Sequence, residues 1–167
     1  MRGVRPGEEA AAGAVVVAAY RALPGAHLSG DYAVELSDVE RRAREAEVLV
    51  AVAPEVASVP DGIVGCATLV PDSTSQWAEL LEEGEAGIRM LAVLPGAQGH
   101  GVGRALLDTC IARAHELGRR ALVLHTTLWM TAAHKLYESA GFERYPERDW
   151  TPVPDVPLLA YRLVLLP

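Results

Sequence analysis

Three glycines at alternate positions, Gly99, Gly101 and Gly103, form the part of this 167-residue sequence that is best suited to binding chemistry. They follow an apolar segment that ends at Pro95, and apolar residues at helical spacing begin at Val102. Glycines let the backbone approach a ligand closely, and the first turn of a helix offers unpaired N–H groups and partial positive charge. The segment therefore predicts a site for a phosphate or pyrophosphate group. The alternative is a tight turn without a ligand.

The spacing of the glycines distinguishes this turn from two common phosphate-binding turns. A P-loop requires Lys and then Ser or Thr after its last glycine, whereas Gly103 is followed by Arg104 and Ala105. The Rossmann fingerprint is Gly-x-Gly-x-x-Gly in the first strand–helix unit, whereas this Gly-x-Gly-x-Gly run lies past the middle of the chain. Neither class fits the pattern.

Two blocks of the sequence resemble one family. Residues 98–103 read Gln-Gly-His-Gly-Val-Gly, and residues 132–142 read Ala-Ala-His-Lys-Leu-Tyr-Glu-Ser-Ala-Gly-Phe. They resemble the GNAT acyl-CoA N-acyltransferases, whose pyrophosphate signature is Gln/Arg-x-x-Gly-x-Gly/Ala and whose later helix-to-strand element is Ala-x-x-Leu-Tyr-x-x-x-Gly-Phe. The resemblance is close over residues 86–145, and the order of elements in the rest of the chain agrees with it.

The resemblance implies one GNAT N-acetyltransferase domain over residues 1–167, with a mixed α/β (α+β) fold. Its single central sheet would be mixed but mostly antiparallel, with about six or seven strands flanked by about four helices, and would splay at the cofactor site. It also implies acetyl-CoA as cosubstrate and direct attack on it by a primary amine of a small molecule. A protein acetyltransferase acting on an N-terminus or a lysine, and a non-catalytic acyl-CoA-binding module, are the alternatives.

The resemblance also assigns residues to the cofactor. The pantetheine arm would pair with the backbone of the strand before the signature, and the pyrophosphate would rest on the N–H groups of the glycine turn. Tyr137 would protonate the departing thiolate, since a phenol near its normal pKa can donate that proton. Its alternative role is to pack the helix on the sheet. The predicted cofactor-binding residues are Leu91, Ala92, Val93, Gln98, Gly99, His100, Gly101, Val102, Gly103, Arg104, Ala133 and Tyr137.

Two residues are candidates for the general base. Many relatives place a Glu near the start of the strand before the signature, where this chain has Gly87, and Glu85 is the nearest substitute. His125 is the other candidate, because it ends a neighbouring strand and an unperturbed imidazole titrates near neutral pH. Both residues could instead be structural. Met130 is a further departure, since it stands where the family often has an Asn that holds the pantetheine.

Hydrophobic periodicity predicts the elements that must position these residues. Capping signals and helical spacing predict helices over residues 8–23, 38–47, 102–117 and 131–140, with Asp38 and Thr131 as N-caps of the second and the last. Short apolar runs predict strands over residues 48–52, 62–69, 88–94, 121–124 and 158–165, the first two as a hairpin. The expected order is antiparallel strands first and then a strand–helix–strand–helix centre.

Composition and charge restrict the possible partners. The formal net charge is -7, and no run of Lys and Arg could serve a nucleic acid. Arg41, Arg42 and Arg44 alternate with acidic residues and predict a solvated helix face. The apolar stretches are too short to span a bilayer, so we expect a soluble, cytoplasmic protein that does not bind membranes. The histidines and cysteines lack the spacing of metal ligands, and we expect no metal.

The acceptor is expected to be a small-molecule or peptide amine bound by residues 23–38, 71–85 and 145–157. Tryptophans and carboxylates in and near these segments suit a cationic amine. The same side chains could instead pack a loop or form a homodimer interface.

Overall fold

The computed structural model describes residues 1–24, 29–53 and 60–165. The α-helices in these ranges are α1 (Glu9–Arg21), α2 (Gly30–Ser37), α3 (Val39–Arg42), α4 (Val102–Glu116) and α5 (Thr131–Ser139). The strands are β1 (Arg2–Gly3), β2 (Glu47–Val52), β3 (Ile63–Val70), β4 (Glu85–Val93), β5 (Ala121–Thr127), β6 (Glu143–Arg144) and β7 (Leu158–Val164). None of these helices is both long and apolar enough to cross a bilayer.

The strands form one seven-stranded sheet in the order β1-β2-β3-β4-β5-β7-β6. Neighbouring strands are antiparallel except β4 and β5, which run parallel because α4 connects them as a crossover. The predicted mixed, mostly antiparallel sheet and the hairpin of β2 and β3 are confirmed.

The sheet opens between β4 and β5. Their ladder runs from the pair Glu85 and Ala121 to the pair Ile88 and Leu124 and stops there, although both strands continue. Past this point, the edge of β4 that faces β5 has backbone groups without a neighbouring strand to pair with. This opening is the splay that the sequence predicted.

A bulge in β4 coincides with the opening. Thr68 pairs with Arg89 and Cys66 with Ala92, so Met90 and its neighbour together oppose one residue of β3. Met90 has a φ of +52°, in the left-handed region that residues other than glycine rarely adopt. Because a bulge bends its strand and redirects the peptide groups, it accounts for the place where β4 leaves β5.

The two faces of the sheet carry separate apolar cores, as the alternation of side chains along a strand requires. Val48 and Val50 of β2 pack in the cluster that contains α1, whereas Leu49 and Ala51 pack in the cluster that contains α4. The chain therefore folds as helices on both faces of one sheet.

The start of the chain differs from the expectation in one helix. The structure has α2, which was not predicted and whose N-cap Ser29 accepts a hydrogen bond from the N–H of Tyr32 at 3.2 Å. Asp38 is the N-cap predicted for the next helix, but that helix, α3, ends at Arg42. The predicted N-cap Thr131 is wrong, because Met130 takes that position in α5 and makes no side-chain capping bond.

Arg42 is fully buried and not on a solvated face, which corrects the expectation from its charged neighbours. Its guanidinium donates to the carbonyl oxygens of Glu35 at 2.7 Å and Leu36 at 2.9 Å. The last carbonyl groups of a helix have no partner within the helix, and Arg42 supplies one at the end of α2. The sequence pattern could not show this, because it is a contact between two helices.

Candidate active site

The glycine turn leads into the N-terminus of α4, which no side chain caps. Gly99 and Gly101 both have a φ of +79°, and Gly101 is the N-cap of α4 without any side-chain capping bond. A Cβ built on either glycine would meet no atom within 4 Å, so the space beside the turn is open. The first N–H groups of α4 therefore face open space, where an anion can accept their hydrogen bonds and benefit from the helix dipole.

Two further glycines bring this turn close to the rest of the site. A Cβ on Gly103 would lie 3.4 Å from Leu136 Cδ2 of α5 and 3.6 Å from Val93 Cγ2 of β4. A Cβ on Gly65 of β3 would lie 3.0 Å from Val102 Cγ1, within the first turn of α4. The sequence analysis did not single out Gly65, although a glycine within a buried strand is a signal of close backbone approach.

A cavity of about 550 Å³, here called the large cavity, extends from the glycine turn along the freed edge of β4. Most of the residues predicted to bind the cofactor line it, namely Leu91, Ala92, Val93, Gln98, Gly99, Gly101, Val102, Gly103, Arg104 and Ala133. The cavity is also lined by residues 129–132 with Leu136, and by the end of α1 with Tyr20, which the sequence did not indicate. The predicted set is thus brought together in space, apart from His100 and Tyr137.

His100 is exposed and folds back on its own turn. Its Nδ1 lies 2.8 Å from the carbonyl oxygen of Gln98, whose side-chain amide in turn donates to the carbonyl oxygen of Val93 at 3.2 Å. These bonds fix the turn to the end of β4. The side chain of His100 does not line the large cavity, so it contributes to the shape of the turn.

Tyr137 is buried, with its ring centroid 6.0 Å from that of Phe142 and 6.1 Å from that of Tyr161. It lines neither cavity, whereas the preceding Leu136 lines the large one. Burial raises the pKa of the Tyr137 hydroxyl, so it stays protonated at neutral pH. That is the state a proton donor needs, and the role in catalysis stays a prediction.

A smaller cavity of about 110 Å³, here called the small cavity, adjoins the large one and shares Tyr20 and Met130 with it. It is lined by Arg89 of β4 and His125 of β5, on the two sides of the opening in the sheet. Trp77, Glu79, Thr126 and Thr127 are among its other lining residues.

His125 lines the small cavity, and its imidazole is in the neutral form that can accept a proton. Its Nε2 is 3.0 Å from the carbonyl oxygen of Arg148, and a carbonyl can only accept, so Nε2 carries the proton and the lone pair is on Nδ1. Burial lowers the pKa of His125 below its normal 6.5. The imidazole is therefore neutral at physiological pH and able to accept a proton.

Glu85, the other predicted base, lines neither cavity. Its side chain is fully buried at the start of β4, and its carboxylate is 3.6 Å from Arg148 Nη1 and 3.4 Å from Arg162 Nη2. It also accepts a hydrogen bond from the N–H of Glu82 at 3.0 Å. About six residues of strand, roughly 20 Å at 3.3 Å per residue, separate Glu85 from Leu91. Glu85 thus occupies an ion-pairing position, and its role as a base stays a prediction.

An ion pair that the sequence analysis missed lines the small cavity. Arg89 Nη2 lies 2.6 Å from Glu79 Oε1, and the guanidinium carbon of Arg89 is 5.6 Å from the ring centroid of Trp77. Burial raises the pKa of Glu79. Arg89 could have been noticed as a charged residue within an apolar strand, whereas Glu79 lies in a polar loop where nothing distinguishes it from its neighbours.

The segments expected to bind the acceptor are only partly at this site. Residues 71–85 contribute Trp77, Glu79 and Leu81 to the small cavity, and residues 23–38 contribute Tyr32. Residues 25–28 lie outside the described part of the chain, and residues 145–157 line neither cavity.

The sequence and the fold both match known acetyltransferases. The pattern of the Acetyltransferase (GNAT) family matches residues 18–142. Over 77 residues the chain is 38% identical to a mycothiol acetyltransferase of Geodermatophilus obscurus, an alignment that covers 42% of this chain and 25% of that protein. The chain therefore spans about a quarter of the length of this curated relative.

Solved structures resemble the whole fold. An acetyltransferase of the GNAT family from Staphylococcus aureus superposes with a TM-score of 0.74 at 17% identity, over 98% of this chain and 97% of that one. A GNAT acetyltransferase of Brucella melitensis in complex with acetyl-CoA has a TM-score of 0.64 at 25% identity, over 99% of this chain and 87% of that one.

Proposed function

This chain belongs to the GNAT family of acetyltransferases, and from that membership we propose that it transfers the acetyl group of acetyl-CoA to a primary amine of a small molecule. The observation that carries the proposal is the large cavity, which joins an uncapped helix N-terminus to the free edge of β4 and then to the small cavity. The relative named mycothiol acetyltransferase supports acetyl transfer, but only a quarter of that protein aligns with this chain, so its acceptor is not carried over.

The residues present fit acetyl-CoA. The open space beside Gly99 and Gly101 and the unpaired N–H groups of α4 suit a pyrophosphate, and Arg104 lines the same cavity. The unpaired edge of β4 from Leu91 to Val93 can hydrogen-bond the amides of the pantetheine arm as a neighbouring strand would. When bound, acetyl-CoA supplies a thioester, which is an activated acyl group.

The bulge at Met90 offers a place to stabilise developing charge. The left-handed conformation there turns backbone groups of β4 away from the regular ladder with β3. In our proposal an N–H group of β4 between Met90 and Val93 donates to the carbonyl oxygen under attack, on which negative charge develops. A fixed backbone donor needs no reorganisation during the reaction.

Proton transfer is assigned to two side chains. His125 accepts the proton of the acceptor amine, directly or through a water, because its neutral imidazole lines the small cavity next to the opening in the sheet. Tyr137 donates to the leaving thiolate, as the family resemblance implies. The attack is direct: both cysteines are buried, and burial raises the pKa of each thiol to about 12, which keeps them protonated and poor nucleophiles.

The volume of the small cavity favours a small acceptor over a protein chain. A cavity of about 150 Å³ holds a molecule the size of benzene, and the small cavity has about 110 Å³. The test is release of the CoA thiol from acetyl-CoA across a panel of small amines, amino acids and short peptides. Thiol release and an acetylated product with a small amine are expected. Tight CoA binding without thiol release from any acceptor would instead identify a non-catalytic acyl-CoA-binding module.

A further inference from the structure

Among the residues that line the small cavity, Glu79 and Arg89 are the ones with a formal charge. The two are paired at 2.6 Å, and the guanidinium also donates to the backbone carbonyl oxygen of Trp77 at 3.5 Å. A guanidinium has five N–H donors, and these contacts engage only Nη1 and Nη2. Arg89 therefore has donors left for a ligand in the cavity.

A second donor, beside the small cavity, has no partner. The indole Nε1 of Trp77 is buried and makes no hydrogen bond to any described residue. An indole N–H can only donate, so its natural partner is an acceptor oxygen. A buried donor without a partner is unfavourable, and an acceptor oxygen placed beside it would remove that cost. The hydroxyls of Thr126 and Thr127 in this cavity also lack partners among the described residues, and each can accept or donate.

Together these hydrogen-bond donors suit a ligand that has an anionic oxygen group. The guanidinium carbon of Arg89 lies over the ring of Trp77, 5.6 Å from the ring centroid, so a carboxylate bound by Arg89 would lie beside the indole. Glu79 lines the same cavity, so its carboxylate can meet the ammonium form of the same ligand before it loses its proton. Burial raises the pKa of Glu79, Arg89 lowers it in part, and a second cation beside the carboxylate would lower it further.

We propose that the acceptor is a small amino acid, whose carboxylate is bound by Arg89 and the indole N–H of Trp77 while its amine faces the opening of the sheet. This assignment rests on the acetyl transfer proposed above and adds the chemical class of the acceptor. At about 110 Å³ the small cavity has room for a ligand of roughly five to seven non-hydrogen atoms, the size of glycine, alanine or serine.

The competing occupant is an amine without a carboxylate, attracted by acidic residues near Arg89. Besides Glu79, Glu35 has a carboxylate oxygen 4.0 Å from Arg89 Nη2, and 42% of its side chain is exposed. A pair at that distance and exposure is weak, because water and salt screen it. The unpartnered indole N–H cannot bind an ammonium group at all, so the donors decide in favour of the carboxylate.

The experiment compares acceptors that differ only in the acid group. Glycine, L-alanine and L-serine are assayed by thiol release beside glycinamide and L-alaninamide, with wild type, Arg89→Gln and the control Arg41→Gln. Arg41 also lies over Trp77, at 5.3 Å from the ring centroid, but it does not line the small cavity. We expect Arg89→Gln to raise KM for L-alanine roughly ten- to a hundredfold and to leave KM for the amide unchanged. Arg41→Gln should change neither.

Binding is measured separately from turnover, by calorimetric titration of L-alanine into the protein saturated with CoA. Equal KM values for acid and amide in wild type, or an equal rise of both in a folded Arg89→Gln, would overturn the amino-acid assignment while acetyl transfer stands. If no acceptor causes thiol release, the titration decides the question. Binding of L-alanine to wild type but not to Arg89→Gln would support the carboxylate site, and absence of binding to wild type would reject it. Arg89→Lys, which keeps the charge without the planar fork, should be intermediate and shows that the effect is not loss of folding.

Discussion

Gly65 of β3 lies so close to Val102 at the start of α4 that a Cβ on the glycine would be 3.0 Å from Val102 Cγ1. The same Cβ would be 3.0 Å from Leu106 Cδ1 and 3.2 Å from the carbonyl oxygen of Ala92. Because this strand position has no side chain, the first turn of α4 rests directly on the sheet beside β4. The donors of the helix and the free edge of β4 thereby become walls of one cavity.

Replacing Gly65 with Val should push the start of α4 away from the sheet. Overpacking a well-packed position costs about 1–3 kcal/mol of unfolding free energy, and here the strain falls on the helix end that faces the cavity. We expect a lower melting temperature together with weaker CoA binding, measured by calorimetry below that temperature. Gly3→Val is the control, since a Cβ at Gly3 meets nothing within 4 Å. Wild-type CoA affinity in Gly65→Val would show that the contact does not shape the cavity.

Gly101→Glu should abolish CoA binding. The new carboxylate would occupy the open space at the N-terminus of α4 and repel the pyrophosphate. The left-handed φ of +79° adds about 1 kcal/mol of strain for any side chain there. Gly118→Glu is a matched control, because Gly118 has a φ of +65° with open space around it and follows the other end of α4. Retained CoA affinity in Gly101→Glu would refute this placement of the pyrophosphate.

The acid limb of the pH–rate profile should depend on His125. Burial lowers the pKa of this imidazole below 6.5, so the neutral form that accepts a proton persists to lower pH than in a free histidine. The rate constant kcat should therefore fall only as the pH drops below about 6.5 and the ring becomes protonated. In His125→Asn we expect a much lower kcat and no such limb. Both proteins are assayed with the same acceptor, so that protonation of the acceptor amine contributes equally to the two profiles. An acid limb that is unchanged in His125→Asn would exclude His125 as the base.

Glu85→Gln should destabilise the fold and leave the chemistry intact. The substitution removes the charge that Arg148 and Arg162 meet inside the protein, and breaking a buried pair in this way costs about 3 kcal/mol. Denaturant unfolding measures the loss. The control Glu82→Gln alters an exposed partner of Arg148 and should cost less than about 1 kcal/mol. A drop in kcat for folded Glu85→Gln, at a temperature where it is fully native, would restore the carboxylate to a catalytic role.

Tyr137→Phe should lower turnover more than it lowers CoA affinity. If the hydroxyl protonates the leaving thiolate, its removal affects the reaction and leaves the packing of the ring unchanged. A loss of about tenfold to a thousandfold in kcat, with an unchanged Kd for CoA, is the expected result. Tyr161→Phe is the matched control, because this ring lies 6.1 Å away and its hydroxyl donates to Glu138. Equal kcat in both variants would leave Tyr137 a packing residue.

The parts of the site that are local in the sequence could be predicted from it. The strand, glycine turn and helix over residues 85–116 depend on neighbouring residues, since glycine conformation, capping and helical periodicity act within a few positions. The turn therefore indicated a phosphate site, and its resemblance to a family gave the fold. About half of the residues around the large cavity followed, because they lie on this one continuous segment.

Only the tertiary structure decided which distant side chains meet. Glu85 and His125 were equal candidates in the sequence, but the fold buries Glu85 between Arg148 and Arg162 and places His125 at the opening of the sheet. The pair of Glu79 with Arg89 joins a loop to a strand across the small cavity. Such contacts depend on strand register and on where β4 leaves β5. Those features are set by long-range packing and not by the local sequence pattern.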